Sequence, residues 1–361
     1  MTIRPPGDNR KRKILYSLRK AEEIISEWRW GKSHCYETLQ ELIGILDEAK
    51  EETLELCEDL RPQRPKVIPE IKNNGVPFTT VINDYYMVAG ESDFKLPVGT
   101  DEDGNTFFLP ISAGEGGGVL LHGGVDSEQT SLIYELILSA CQWLSPDEIR
   151  IYIYTAGDKS YAAFQKDNPP YSKIPHLSSV SKPSPYDDKR YAEMEFLNRL
   201  HRERAERERL FRGTDANTLY DYNMSIPVLL GEKERLPIKL IILDPSPVKP
   251  ESLSKELIQE LSRYGIYVVA AARSIDSCVV AEKFATRVFF ASSNTDSLAK
   301  LYKSASPKEI RKVSDKLKAA DVGTFVYNTP DGQIKTARLA SATVEDSRKI
   351  VESIIAKYGE K

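Results

Sequence analysis

The feature that most constrains this chain is a short apolar strand that runs straight into a glycine-rich turn and then a helix. Val119-Leu-Leu-His122 is the strand, and Gly123-Gly-Val-Asp-Ser-Glu-Gln-Thr130 is the turn. Leu132, Ile133, Leu136, Ile137, Ala140 and Cys141 then recur at helical spacing. A join of this kind aims backbone N–H groups and the positive end of a helix at one spot, which suits a phosphate. The elements that follow alternate. Ile149–Tyr154, Lys239–Leu243, Tyr267–Ala271 and Val288–Phe290 read as strands. A long polar helix is expected from Asp188 to Arg212, with Met194, Leu197, His201 and Ala205 on one face. Alternation of strand and helix predicts a mainly parallel sheet covered on both faces. Phe94-Lys-Leu-Pro-Val-Gly99 and Thr106–Pro110 read as a hairpin around Asp101-Glu-Asp-Gly-Asn105. Thr324–Tyr327 and Ile334–Leu339 read as closing strands around Thr329-Pro-Asp-Gly332, and a last helix begins near Val344.

Upstream the texture differs. Residues 1–12 are basic and read as a flexible arm. From Lys13 to Leu60, Ile14, Leu15, Leu18, Ala21, Ile24, Ile25 and Trp28 and then Leu39, Leu42, Ile43, Leu46 and Ala49 recur at helical spacing on either side of Gly31. That pattern predicts an antiparallel helical hairpin whose apolar stripe packs on the main domain, self-associates or docks a partner. Pro62, Pro65, Pro69 and Pro77 mark residues 61–93 as a linker. The expected organisation is an arm and hairpin over 1–60, a linker over 61–93 and an α/β domain over 94–361.

Composition removes several function classes. No stretch approaches the length of a membrane span or a signal core, so a cytoplasmic location is expected. A formal charge of −4 supplies no global basic field for non-specific DNA binding, though a ring motor needs basic residues only in its pore. The run His201-Arg-Glu-Arg-Ala-Glu-Arg-Glu-Arg-Leu210 balances acids against bases at helical spacing, which describes a salt-bridged face. Arg10-Lys-Arg-Lys13 is the better candidate for phosphate contact. Cys35, Cys57, Cys141 and Cys278 are scattered and read as free thiols, and a His34–Cys35 metal site lacks a second ligand pair.

The octapeptide 123–130 has the length and placement of a phosphate-binding loop, GxxxxGK[ST]. It keeps the first glycine, Gly123, and the last hydroxyl, Thr130. Glu128 stands at the second glycine and Gln129 at the lysine. Lys239-Leu-Ile-Ile-Leu-Asp244 has the form of the strand that ends in a magnesium-side aspartate.

From about Phe94 to Ile354 the sequence resembles the FtsK/SpoIIIE family of DNA translocases. The resemblance rests on an ordered series: Leu96-Pro-Val-Gly-Thr-Asp-Glu-Asp-Gly-Asn105, Val119-Leu-Leu-His-Gly-Gly124, Ser145-Pro-Asp-Glu-Ile-Arg150, Ile174-Pro-His-Leu177, Asn217-Thr-Leu-Tyr-Asp-Tyr-Asn223, Leu236 to Asp244, Arg263 to Arg273, Thr286-Arg-Val-Phe-Phe290 and Gly323-Thr-Phe-Val-Tyr327. The chain is also similar to the degenerate ATPase domains of EssC-like type VII secretion proteins. These likenesses imply a RecA-like P-loop NTPase fold with a mainly parallel central sheet, preceded here by the helical hairpin. They imply a vestigial nucleotide site at Gly123, Gly124, Ser127, Gln129, Thr130 and Asp244, with Thr130 and Asp244 as the magnesium-side pair. Arg273 and Arg287 take the place of arginines that could act on a neighbouring subunit's nucleotide; the plainer reading of both is surface ion pairing. Thr130 can equally serve as a helix cap and Asp244 as a loop-capping carboxylate.

The departures fall on the chemistry. Gln129 lacks the charge with which the lysine steadies the β/γ phosphates. Asp126 and Glu128 put carboxylates beside the phosphate site, at a cost of about 1–4 kcal/mol each. Pro245 follows Asp244 where the family has a glutamate base, and Ala271-Ala272 replaces its Thr-Gln. The expectation is a pseudo-ATPase that serves as a structural or regulatory partner of a DNA-translocation or secretion motor. No cofactor is expected beyond weakly bound ATP and magnesium, and a homo- or hetero-oligomer with an active motor subunit is expected. Duplex DNA and a protein bound at the N-terminal hairpin stay open as partners. Two alternatives remain: a weak DNA-stimulated ATPase or translocase, and a nucleic-acid-binding scaffold without nucleotide.

Overall fold

A computed structural model describes residues 16, 20–21, 43–45, 75–83, 94–113, 116–123, 126–155, 159–164, 169–181, 189–244, 250–272, 281–290, 295–329 and 332–359. The chain divides into two compact units, Met1–Lys66 and Val67–Lys361. In the first, Tyr16, Lys20, Ala21 and 43–45 are helical, and Ala21 and Ile45 are buried together. The rest of the expected arm and hairpin lies outside the described residues.

The second unit is built in this order: α1 (Phe78–Asn83), β1 (Lys95–Asp101), β2 (Thr106–Pro110), β3 (Ser112–Ala113), β4 (Gly116–Gly117), β5 (Val119–Gly123), α2 (Asp126–Trp143), β6 (Ile149–Tyr154), β7 (Leu177–Ser181), α3 (Lys189–Arg212), α4 (Leu219–Asn223), α5 (Ile226–Leu229), β8 (Ile238–Leu243), α6 (Lys255–Arg263), β9 (Ile266–Ala272), β10 (Thr286–Phe290), α7 (Thr295–Leu301), α8 (Pro307–Lys318), β11 (Thr324–Asn328), β12 (Ile334–Leu339) and α9 (Val344–Tyr358). Ten strands make one sheet in the order β2-β1-β12-β11-β10-β5-β9-β8-β6-β7. From β10 to β7 every pairing is parallel. From β10 to β2 every pairing is antiparallel.

Both faces of the parallel part are covered, so its strands are apolar at consecutive positions. Leu121, Leu240 and Ile242 face one core with Leu132, Ile133 and Leu136 of α2 and Ile350, Val351 and Ile354 of α9. Leu120, Ile241 and Leu243 face the other, with residues of α3, α6, α7 and α8. The stretch 61–93 is not all linker. Phe78, Val81 and Ile82 of α1 are buried in the first core, Ser341 holds Val76 and Phe78 through backbone hydrogen bonds of 2.8 Å each, and Trp143 Nε1 donates to the Ile82 carbonyl at 2.7 Å. Prolines spaced through that stretch concealed a six-residue apolar helix.

On α3 the buried positions are Phe196, Leu200, Arg207 and Phe211, and Met194, His201 and Ala205 point to solvent. Two of its pairs have the expected helical spacing, Arg207 with Glu203 and Arg212 with Glu208, while Arg204 pairs across to Glu260 of α6. Among the described residues no helix is long and apolar enough to cross a membrane, and no cluster of acids, histidines and cysteines could hold a metal. Cys141 is a buried free thiol.

Candidate nucleotide site

The turn sits at the carboxyl ends of the parallel strands, where ligands bind in sheets of this kind. β5 ends at Gly123 and α2 begins at Asp126. Gly123 has φ +78°, and a Cβ there would fall 2.6 Å from the Phe290 carbonyl oxygen of neighbouring β10. Position 123 therefore demands glycine twice over, for the left-handed backbone and for the close approach. Gly124 lies outside the described residues, and of Ser127 only the helical backbone is described.

The described polar side chains at the start of α2, Glu128 and Gln129, are engaged within the chain. Gln129 folds back, and its Nε2 donates to the Gly123 carbonyl at 2.7 Å. Glu128 is buried, and its Oε1 accepts the Gly323 N–H at 2.8 Å. That bond ties the start of α2 to the turn before β11. A carboxylate there also suits the positive end of the helix. Thr130 is buried within α2. His122 offers Nδ1 to the Ala272 carbonyl at 2.8 Å, and burial lowers its pKa, so the neutral ring is favoured.

Asp244 follows β8 directly and is buried. Its backbone N–H donates to the Tyr154 carbonyl at 3.1 Å, and its Oδ2 accepts the Tyr161 hydroxyl at 2.5 Å. Tyr161 comes from a 3₁₀ segment, Lys159–Phe164, and stacks on Tyr134 of α2 with centroids 5.9 Å apart. Tyr134 also meets Phe164 at 4.6 Å and Tyr171 at 6.4 Å. Burial pushes the Tyr171 phenol up to about 12 and the Tyr134 phenol up as well. These rings form an aromatic wall between α2 and the aspartate.

Farther along α2, Glu135 is fully buried, and neither carboxyl oxygen has a hydrogen-bond partner. Burial raises its pKa well above the ordinary carboxylate value, because the charged form is desolvated there. Ser131 Oγ and Gln142 Oε1 on the same helix are likewise unpartnered, and Ser139 Oγ donates to the Pro97 carbonyl at 2.7 Å.

The structure brings Gly123, Gln129, Thr130 and Asp244 to one edge of the sheet. Arg273 and Pro245 lie outside the described residues. Arg287 is held on its own subunit: its backbone N–H and Nε donate to Asn328 Oδ1 at 2.7 and 3.3 Å, and Nη1 donates to the Leu301 carbonyl at 3.0 Å. As arranged, the described side chains suit a magnesium nucleotide poorly. The lysine position supplies a neutral amide already bonded to the turn, a buried carboxylate stands next to it, and a tyrosine holds one oxygen of the aspartate. Sequence reasoning did not bring Tyr161 or Gly323 to the site: Tyr161 belongs to no motif, and Gly323 reads only as the opening of the closing hairpin.

No family model matches the sequence, and no curated protein matches it. Solved structures do match. The cytoplasmic domain of the type VII secretion ATPase EccC from Thermomonospora curvata matches at TM-score 0.59 and 14% identity, over 78% of this chain and 34% of that one. ATPases 2 and 3 of EssC from Geobacillus thermodenitrificans match at 0.53 and 15%, over 81% and 53%. ATPases 2 and 3 of T. curvata EccC, in complex with a signal sequence peptide, match at 0.52 and 17%, over 84% and 52%. This chain thus spans about a third to a half of the length of those structures. At such identities the likeness establishes the fold, which is that of the RecA-like P-loop ATPase domains of EccC and EssC.

Proposed function

We propose that the α/β unit is a pseudo-ATPase: a motor-fold domain that acts as a structural or regulatory partner of an active motor subunit. Three bonds carry this reading. Gln129 to Gly123, Gly323 to Glu128 and Tyr161 to Asp244 tie the groups a nucleotide and its magnesium would need to the chain's own backbone and side chains. The chain supplies at its own phosphate turn the anion and the hydrogen bonds that a ligand supplies in an active domain. The motor is a secretion or DNA-translocation machine, and the likeness to EccC and EssC domains favours secretion. A cytoplasmic place for the unit agrees with the EccC match being a cytoplasmic domain.

The test is calorimetric titration of the whole chain with magnesium-ATP, beside phosphate release with and without duplex DNA. The expected result is no measurable binding and no turnover. Turnover stimulated by DNA and abolished by Asp244→Ala would instead establish a weak motor. Salt-sensitive retardation of duplex DNA without nucleotide binding would establish a scaffold. Glu128→Gly with Gln129→Lys and Tyr161→Phe restores the cation and frees the aspartate. Micromolar ATP binding by that triple variant is expected if the pocket's backbone has kept its shape.

A further inference from the structure

At the pole of the sheet opposite the turn, α4 and α5 form a ledge. Leu219 of α4 packs against Gly265, which precedes β9, and Asn223 bridges both polar backbone groups of Leu236, which precedes β8, at 2.9 Å each. The ledge therefore sits at the amino ends of these strands. It is firmly built. Thr218 and Asp221 form a reciprocal cap at the start of α4, Ser225 Oγ donates to the Tyr222 carbonyl at 2.7 Å, and Pro227 opens α5. Leu219 and Tyr222 point inward, onto Phe211 and Tyr264.

Tyr220, Met224, Ile226, Leu229 and Leu230 point outward and are 44%, 47%, 72%, 62% and 69% exposed. Ile226, Leu229 and Leu230 share one face of the turn they occupy. Each of the five exposes roughly 100 Å², on the order of 500 Å² together, which is the size of patch that marks an interaction site on a soluble domain. Elsewhere among the described residues, large exposed apolar side chains occur singly or as the pair Tyr191 and Met194.

The rim decides what fits. Asp215, Asp221, Glu232 and Glu234 flank the apolar strip, and none is in an ion pair among the described residues. Two nearby cations are engaged on backbone carbonyls at the surface: Lys233 Nζ donates to the Gly213 carbonyl at 2.8 Å, and Arg263 Nε to the Asn217 carbonyl at 2.7 Å. Among the described residues Arg235 is in no hydrogen bond or ion pair, and between 215 and 235 the four acids outnumber Lys233 and Arg235. A second copy would bring acid against acid. We propose that the ledge docks an amphipathic segment of a partner protein, apolar on one face and flanked by lysine or arginine. This does not depend on the nucleotide reading.

The experiment uses the full chain and a fluorescein-labelled four-turn helical peptide with leucine on one face and lysine on the other. The control is its isomer with glutamate at the lysine positions. Anisotropy should show saturable binding of the lysine peptide, at least about tenfold tighter than its isomer. Leu229→Ser with Leu230→Ser should weaken it about tenfold or more. Glu232→Lys with Glu234→Lys should narrow or reverse the preference between the two peptides. Ile226→Ser is the second apolar variant, and a thermal melt of each variant confirms folding. Equal binding of both peptides, or binding unchanged by the apolar variants, would overturn the proposal. So would a dimer in sedimentation that the same variants dissolve, since it would give the ledge to a second copy.

Discussion

The helix α2 and the ledge α4–α5 invert each other's chemistry. On α2, Glu128, Gln129, Thr130, Ser131, Glu135 and Ser139 are polar and buried. On the ledge, Tyr220, Met224, Ile226, Leu229 and Leu230 are apolar and exposed. Neither arrangement follows from stability alone. Burying polar groups costs free energy unless partners are found, and a monomer gains nothing by holding leucines in water on a rigid scaffold. At its start α2 finds partners inside the chain, and so closes a site that the fold offers to a ligand. The ledge finds none, and so keeps open a surface that the fold does not require. A domain that exchanged catalysis for association would show this pairing: chemistry turned inward at one pole and contact area turned outward at the other.

The sharpest challenge to that contrast lies at Glu135, where α2 does not find partners. Its pKa is raised in the folded chain, so folding favours the protonated acid. The sign follows: its contribution to stability is full below the unfolded value near 4.3 and is lost as pH rises toward the folded value, at up to about 1.4 kcal/mol per pH unit. Glu135→Met should therefore stabilise the unit by about 3 kcal/mol at pH 8 and flatten the alkaline side of its stability profile. Chemical denaturation at a series of pH values reads both. A destabilised Glu135→Met would mean that the carboxyl has a structural partner and that α2 is polar for internal reasons throughout.

The opposite arm of the profile belongs to the far end of α2. His176 is buried and its Nε2 meets the Leu144 carbonyl at 2.7 Å, just beyond the helix, with its ring edge-on to Tyr358. Burial lowers its pKa to about 4. Its neutral form supports folding above about 6.5, and that support is lost as pH falls from 6.5 toward 4, by at most about 3 kcal/mol. His176→Gln should lower stability at pH 7 while removing most of this acid slope. Tyr161→Phe comes next in size. It withdraws the hydroxyl from buried Asp244 and should cost about 2 kcal/mol. A gain in nucleotide affinity without loss of stability would mark Tyr161 as a gate rather than a brace.

The sheet was legible because its signals are local. The apolar runs read as strands, from Val119 to Leu339, are strands, and the position of the turn follows from one strand, one glycine and one helix. The interactions that redefine that turn were not legible. Gly323 is 195 residues from Glu128, and Tyr161 is 83 from Asp244. Gly323 acts through its backbone N–H and Tyr161 through its hydroxyl, and no period in either stretch announces the contact. The ledge was hidden for a different reason. Ile226-Pro-Val-Leu-Leu230 is a short run between Ser225 and Gly231, and apolar runs of this length are consistent with burial. Only the fold shows that its backbone is pinned by Asn223 while its side chains face out.

The smallest predicted effect discriminates best between the two regions. Leu229→Ser with Leu230→Ser removes two large apolar side chains, and in a core such a change costs several kcal/mol. On the ledge both are more than half exposed, so the unfolding free energy should move by no more than about 0.5 kcal/mol. Solubility should rise, because the exposed patch shrinks. A loss of 2 kcal/mol or more in a denaturant titration would show that something in the isolated chain already covers these residues. The apolar face would then be part of the fold, and the inversion between α2 and the ledge would vanish. A near-zero change, beside a measurable loss for Tyr161→Phe, would show that one pole is held by its polar contacts and the other is held for something else.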